Sequence, residues 1–138
     1  MNRVFVVSLD KKFRKFEKPL KSVVLKIFKV LKKDKAEADI YLIGDRQMRF
    51  LNKKFRGKDK TTTVLSFEEP RNFVFPPSKF KKIGEIYLNC EISNLKSQIS
   101  NLLVHGLLHL FGYDHKKKND RIKMEKMEQS IIKCLLPL

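Results

Sequence analysis

At 138 residues the chain fits one domain, large enough to bury a single core without disulfide or metal staples. Hydrophobic residues make up 42% and charged residues 33%, ordinary for a globular protein, and no apolar run approaches the roughly 20 residues that span a bilayer. Thirty-one basic against fifteen acidic residues give a net charge of +16, an excess that attracts polyanions such as nucleic acid.

The first elements alternate in type. Residues 3–9 are rich in β-branched side chains and read as a strand, too short and too soon followed by Lys11 and Lys12 to be a signal-peptide core, so a cytoplasmic location is expected. Pro19 suits a first helical turn, after which Leu20, Val23, Val24, Ile27 and Leu31 repeat on one helix face. Lysines cover the opposite side as a solvated surface. Residues 38–43 form a second predicted strand. Asp45 is placed to cap a helix whose buried side carries Met48, Leu51 and Phe55.

A loop at 56–60 leads to a short strand at 63–67, and residues 68–82, with Pro70, Pro76 and Pro77, read as irregular. A well-patterned strand follows at 83–90. Residues 93–110 and 120–134 then read as helices, the first burying Ile99, Leu102, Leu103, Gly106 and Leu110. The expected fold is α+β, a small mixed β-sheet packed by helices, in one domain covering residues 1–138 without internal repeats. Cys90 and Cys134 lie far apart, outside any C-x-x-C pattern, and are expected to be free thiols.

All three histidines fall between positions 105 and 115. His105 and His109 are four residues apart, so on an α-helix they sit about 40° apart around the axis and about 6 Å apart along it. Their imidazoles can then converge on one zinc ion, with Zn–N bonds of about 2.0–2.1 Å. His115 would lie roughly 120° away from His109, about 9 Å further along, if the helix simply continued. Gly112 stands where the helix can stop in a left-handed turn and let the chain return. Three neutral ligands leave zinc its full charge and an open fourth position, the catalytic rather than the structural arrangement.

The skeleton H-x-x-x-H-x-x-G-x-x-H is similar to the zinc-binding spacing of the metzincin peptidases. Gly106 stands where those enzymes place their general-base glutamate, which argues against an ordinary metallopeptidase. At full length, H-G-x-L-H-L-x-G-Y-D-H resembles the signature of the YbeY endoribonuclease family. Leu51-Asn52 with Arg56-Gly57-Lys58-Asp59, the strand Val64-Leu65-Ser66-Phe67, and Gly84-Glu85-Ile86 resemble further blocks of that family. The resemblance implies a single-strand-specific, zinc-containing endoribonuclease of 16S rRNA 3′-end maturation and ribosome quality control. Its partners would be single-stranded rRNA, ribosomal particles and a ribosomal protein. It implies His105, His109 and His115 as ligands of one zinc ion, and Arg56 as a residue of the activity. The pattern departs at Thr63 and Glu85, each where the family tends to have Asp, and in a short segment between Cys90 and His105.

Arg56 suits phosphodiester chemistry, because a guanidinium grips two phosphate oxygens and offsets charge developing in the transition state. Asp114 is open to either an orienting or a turn-forming role, and Glu85 to a place near the metal or in a strand salt bridge. Two other functions fit less of the sequence: a non-catalytic ribosome-assembly factor with a structural zinc, and a metal-dependent hydrolase of peptides or small molecules.

Overall fold

The computed structural model describes residues 1–69, 80–91, 95–113 and 118–135, the side chains of 95–100, 132, 134 and 135 excepted. Strand β1 (Arg3–Ser8) leads through a 3₁₀ turn, Lys11–Phe16, into helix α1 (Glu17–Val30) and strand β2 (Ala36–Ile43). Helix α2 (Asp45–Arg56) precedes strands β3 (Val64–Glu68) and β4 (Lys81–Asn89); helices α3 (Leu95–Leu110) and α4 (Lys118–Leu135) follow. The sheet has the order β1-β2-β4-β3. β2 pairs in parallel with β1 and with β4, and β3 runs antiparallel to β4. A parallel pair needs a long crossover, which α1 supplies between β1 and β2. The expected mixed sheet packed by helices is present.

Period-two alternation explains the layering. Ala36, Ala38, Ile40 and Leu42 point to one side of β2 and are buried. They meet Leu20, Val24, Ile27 and Phe28 of α1 and the apolar residues of α3, with Met124 and Ile131 of α4 completing the cluster. On the other side, α2 makes a smaller cluster in which Met48 packs with Ile43 and Leu65. Tyr41 and Tyr87 stack there at 4.8 Å between ring centroids.

The register slips between Glu37 and Ala38, leaving Ile83 as the extra residue of β4. Gly84 follows it with φ +154°, and a Cβ there would lie 2.3 Å from the Phe67 carbonyl oxygen and 2.7 Å from Leu110 Cδ2. Only glycine lets α3 and β3 approach so closely.

Three details differ from the sequence reading. The turn Lys11–Phe16 buries only Phe13, so its polar composition carried no helical period. Asp45 is the first helical residue of α2; the cap is Gly44, whose N–H donates to Gln47 Oε1 at 3.3 Å. Phe55 is 56% exposed, its ring lying edge-on against Phe67 rather than inside the cluster formed by Met48, Ile43 and Leu65.

Candidate metal centre

Helix α3 buries Leu103, Val104, Leu107 and Leu108 completely. His105 and His109 lie on its half-buried flank. Their Nε2 atoms are 3.0 Å apart, with ring planes crossing at 78°. Two nitrogens bound tetrahedrally at zinc–nitrogen distances would be separated by about 3.3 Å. The 3.0 Å separation is that of a hydrogen bond between the two rings and is also close to what one shared ion would need, and an imidazole pair is chemically suited to a zinc-like ion.

One ring is fixed from behind. Met124 and Ile131 anchor α4 in the core, and Glu128, between them on the helix, reaches back to α3. Its Oε1 lies 2.9 Å from His105 Nδ1. An ionised carboxylate can only accept, so Nδ1 is the donor in this contact and Nε2 is the nitrogen turned toward His109. Carboxylates behind metal-binding histidines work in this way. Sequence reading missed Glu128, since only the register of two helices relates it to a residue 23 positions earlier.

Past Leu110 the helix closes in a double hydrogen-bonded cap. Gly112 N–H donates to the His109 carbonyl and Tyr113 N–H to the Leu108 carbonyl, both at 3.0 Å. Gly112 has φ +94°, and a Cβ there would meet nothing within 4 Å, so backbone conformation rather than crowding requires glycine. Asp114 and His115 lie outside the described residues. Among the described residues, no group of three or more His, Cys, Asp or Glu is gathered for a metal.

Gly106 turns inward. A Cβ there would come within 3.0 Å of Ser66 Oγ and 3.2 Å of Ile86 Cδ1. A glutamate at this position would be driven into the sheet, so packing accounts for the glycine.

Arg56 ends α2 with an exposed side chain, and Gly57 caps the helix at φ +69°. The loop behind it is fastened at several points. Buried Asn52 donates through Nδ2 to the Lys60 carbonyl at 2.8 Å, and Arg49 Nε donates to Asp59 at 2.8 Å. Buried Asn89 donates to Asp45 Oδ1 at 2.6 Å and to Thr61 Oγ1 at 2.9 Å. The Asn89 bond and, after it, one at 3.0 Å from the Thr61 hydroxyl hold the Asp45 carboxyl below its ordinary range. Thr63 joins the sheet through its carbonyl, which accepts from Asn89 N–H at 3.0 Å.

The histidine helix and the Arg56 helix meet the same strand from opposite faces. Phe55 lies edge-on against Phe67, while Gly106 rests on the adjacent residue, Ser66. Glu85 belongs to neither helix. It accepts from Lys82 Nζ at 3.2 Å and from the Tyr87 hydroxyl at 3.1 Å, in a strand cluster that also contains Asp39 and Glu69. Burial pulls the Lys82 ammonium down, but its three carboxylate partners outweigh it and raise it overall. Burial and the Glu85 charge push the Tyr87 hydroxyl up to about 12.

The model of the endoribonuclease YbeY family matches residues 6–135. The chain belongs to the YbeY endoribonuclease family. It is 37% identical over 109 residues to the "Endoribonuclease YbeY" of Chelativorans, covering 72% of this chain and 66% of that protein, just under two thirds. The YbeY of Buchnera aphidicola is 34% identical over 85% of this chain and 75% of its own length. That of Sulfurihydrogenibium is 32% identical over 88% of this chain and 80% of its own length. The solution structure of the Thermotoga maritima protein TM1509 superposes with a TM-score of 0.53 at 26% identity, covering 93% of this chain and 88% of that one.

Proposed function

We propose that this YbeY-family chain, as one domain over residues 1–138, is a metal-dependent, single-strand-specific endoribonuclease. Its roles would be 16S rRNA 3′-end maturation and ribosome quality control, in the cytoplasm, on ribosomal particles and with a ribosomal protein as guide. One zinc ion is assigned to His105, His109 and His115. The observation that carries this reading is the 3.0 Å approach of two Nε2 atoms, one of them backed by Glu128. The left-handed conformation of Gly112 ends the helix, and in this reading it is what would let the third imidazole join the other two.

When bound, the ion supplies Lewis acidity toward a phosphodiester and its attacking oxygen. The chain's own residues do the rest. Glu128 holds the His105 proton on Nδ1, away from the site. Arg56 is assigned to a phosphate of the substrate, where its planar fork can bind two oxygens, and the Asn52 bond keeps its loop in place.

Two alternatives lose ground. A closed structural zinc needs a fourth protein ligand, but Cys90 is buried in the core and burial pushes its thiol up to about 11, which disfavours the ligating thiolate. A peptidase of metzincin type needs a base where Gly106 packs on the sheet.

The test is metal analysis together with cleavage of single-stranded and duplex RNA. Wild type should hold one zinc per chain and cut only the single strand. His109→Ala should lose metal and activity while keeping its circular dichroism spectrum, and Arg56→Ala should lose activity but keep metal. If metal-replete protein, free of contaminating nuclease, binds RNA and leaves it intact, the catalytic reading falls.

A further inference from the structure

More than half of the net positive charge falls in one segment of the chain. Residues 11–35 contain eleven Lys or Arg against Glu17 and Asp34, which is nine of the sixteen net positive charges. The apolar residues of α1 face the core, and Lys18, Lys21, Lys26 and Lys29 are exposed on the remaining arc. Among the described residues, none of these four has a carboxylate partner. A second basic segment, residues 45–60, holds seven Lys or Arg against Asp45 and Asp59, and there Arg49 and Lys53 both meet Asp59; on α4 basic and acidic residues are interspersed. Lys18 with Lys21, and Lys26 with Lys29, are like-charged neighbours one helical turn apart, an arrangement that opposes helix formation. A surface that destabilises its own helix is compensated when a polyanion covers it.

The end of this surface reaches the C-terminal end of the histidine helix. Lys33, just past α1, places Nζ 4.7 Å from the ring centroid of Phe111, and Phe111 packs edge-on against Phe28 of α1 at 5.8 Å. Phe111 follows His109 by two residues. The lysine arc thus runs outward from the end of the histidine helix along about 20 Å of α1.

We infer that the outer face of α1 is an RNA-docking surface, gripping the phosphate backbone of a substrate strand beyond the segment at the histidines. The inference rests on the endoribonuclease reading for the identity of the polyanion. Its chemistry is sequence-independent: ammonium groups replace counterions along the strand, so binding weakens steeply with salt.

The test uses the full chain and a fluorescein-labelled, single-stranded 2′-O-methyl RNA oligonucleotide, with affinity followed by anisotropy across a salt series. One variant carries Lys18→Gln, Lys21→Gln, Lys26→Gln and Lys29→Gln. A control loses the same charge on α4, through Lys118→Gln, Arg121→Gln, Lys126→Gln and Lys133→Gln. If all four α1 lysines meet phosphates, the slope of log affinity against log salt should become shallower by about 3 in the α1 variant. The control should keep a slope close to wild type. Arginine at the same four α1 positions should restore the slope, and matched melting temperatures show that the fold is retained. Unchanged binding by the α1 variant overturns the inference, as does an equal loss in both variants, which would make net charge alone responsible. Cleavage by wild type and His109→Ala is read separately. RNA binding through α1 with no cleavage would sink the enzyme reading alone; cleavage with an indifferent α1 would sink this one alone.

Discussion

Glu128 acts on the metal site through a proton that it keeps in place. Glu128→Gln preserves length and shape but replaces an acceptor-only group with an amide that can turn either atom toward Nδ1. Zinc affinity should fall about 10–100-fold, the usual effect of losing such a partner. Competition with a chromophoric chelator measures this directly, and an unchanged affinity would make the 2.9 Å contact merely a tie between helices. Gly112→Ala tests the turn. Its φ of +94° has no steric obstacle nearby, so the substitution isolates the backbone cost, about 1–2 kcal/mol, readable by urea unfolding. If His115 is the third ligand, the same variant should also bind zinc more weakly.

At the scale of elements, Asn89 fastens the start of α2 and the loop following it to β4. Asp45 accepts one bond from Asn89 and one from the Thr61 hydroxyl, and its folded pKa is lowered from 3.8. A lowered carboxyl pKa contributes stability that is complete above the unfolded value and is lost as pH falls through the folded one. Urea titrations should therefore show wild-type stability declining below about pH 4, with a flatter decline in Asn89→Ala. Equal slopes in the two proteins would refute this role.

The same elements show what the sequence could reveal. Helix α1 and the alternating strands were legible because burial repeats at a fixed period, as at Leu20, Val23, Val24 and Ile27. The convergence of His105 and His109 followed from helical spacing alone. Phe55 was misassigned because periodicity identifies a helix face but not which of its residues the cluster beneath takes in. Glu128, Asn52 and Asn89 stayed hidden for another reason: their partners come from other segments, and no local pattern encodes tertiary register. Gly106 was noticed for the glutamate it lacks, while its physical cause, contact with Ser66 and Ile86, required the fold.

Across the whole molecule, +16 leaves many cations without counter-charges, and the folded state gathers them. Salt screens that repulsion, so moderate sodium chloride should raise the melting temperature, and a polyanion should do so at far lower concentration. Differential scanning fluorimetry with chloride and with single-stranded RNA would check this; a melting temperature that falls in both would contradict it. No helix among the described residues is long and apolar enough to cross a membrane.

Strand β3 has a consequence for how the protein can change. Ser66 supports the histidine helix and Phe67 touches the Arg56 helix, so two consecutive residues serve opposite sides of the sheet. Displacing the strand by a single position would exchange their directions and unseat both helices together. Length variation between Gly57 and Thr63 is consequently dangerous, whereas lengthening the chain before α3 leaves this strand untouched. Insertions and deletions should therefore be tolerated better ahead of α3 than between Gly57 and Thr63.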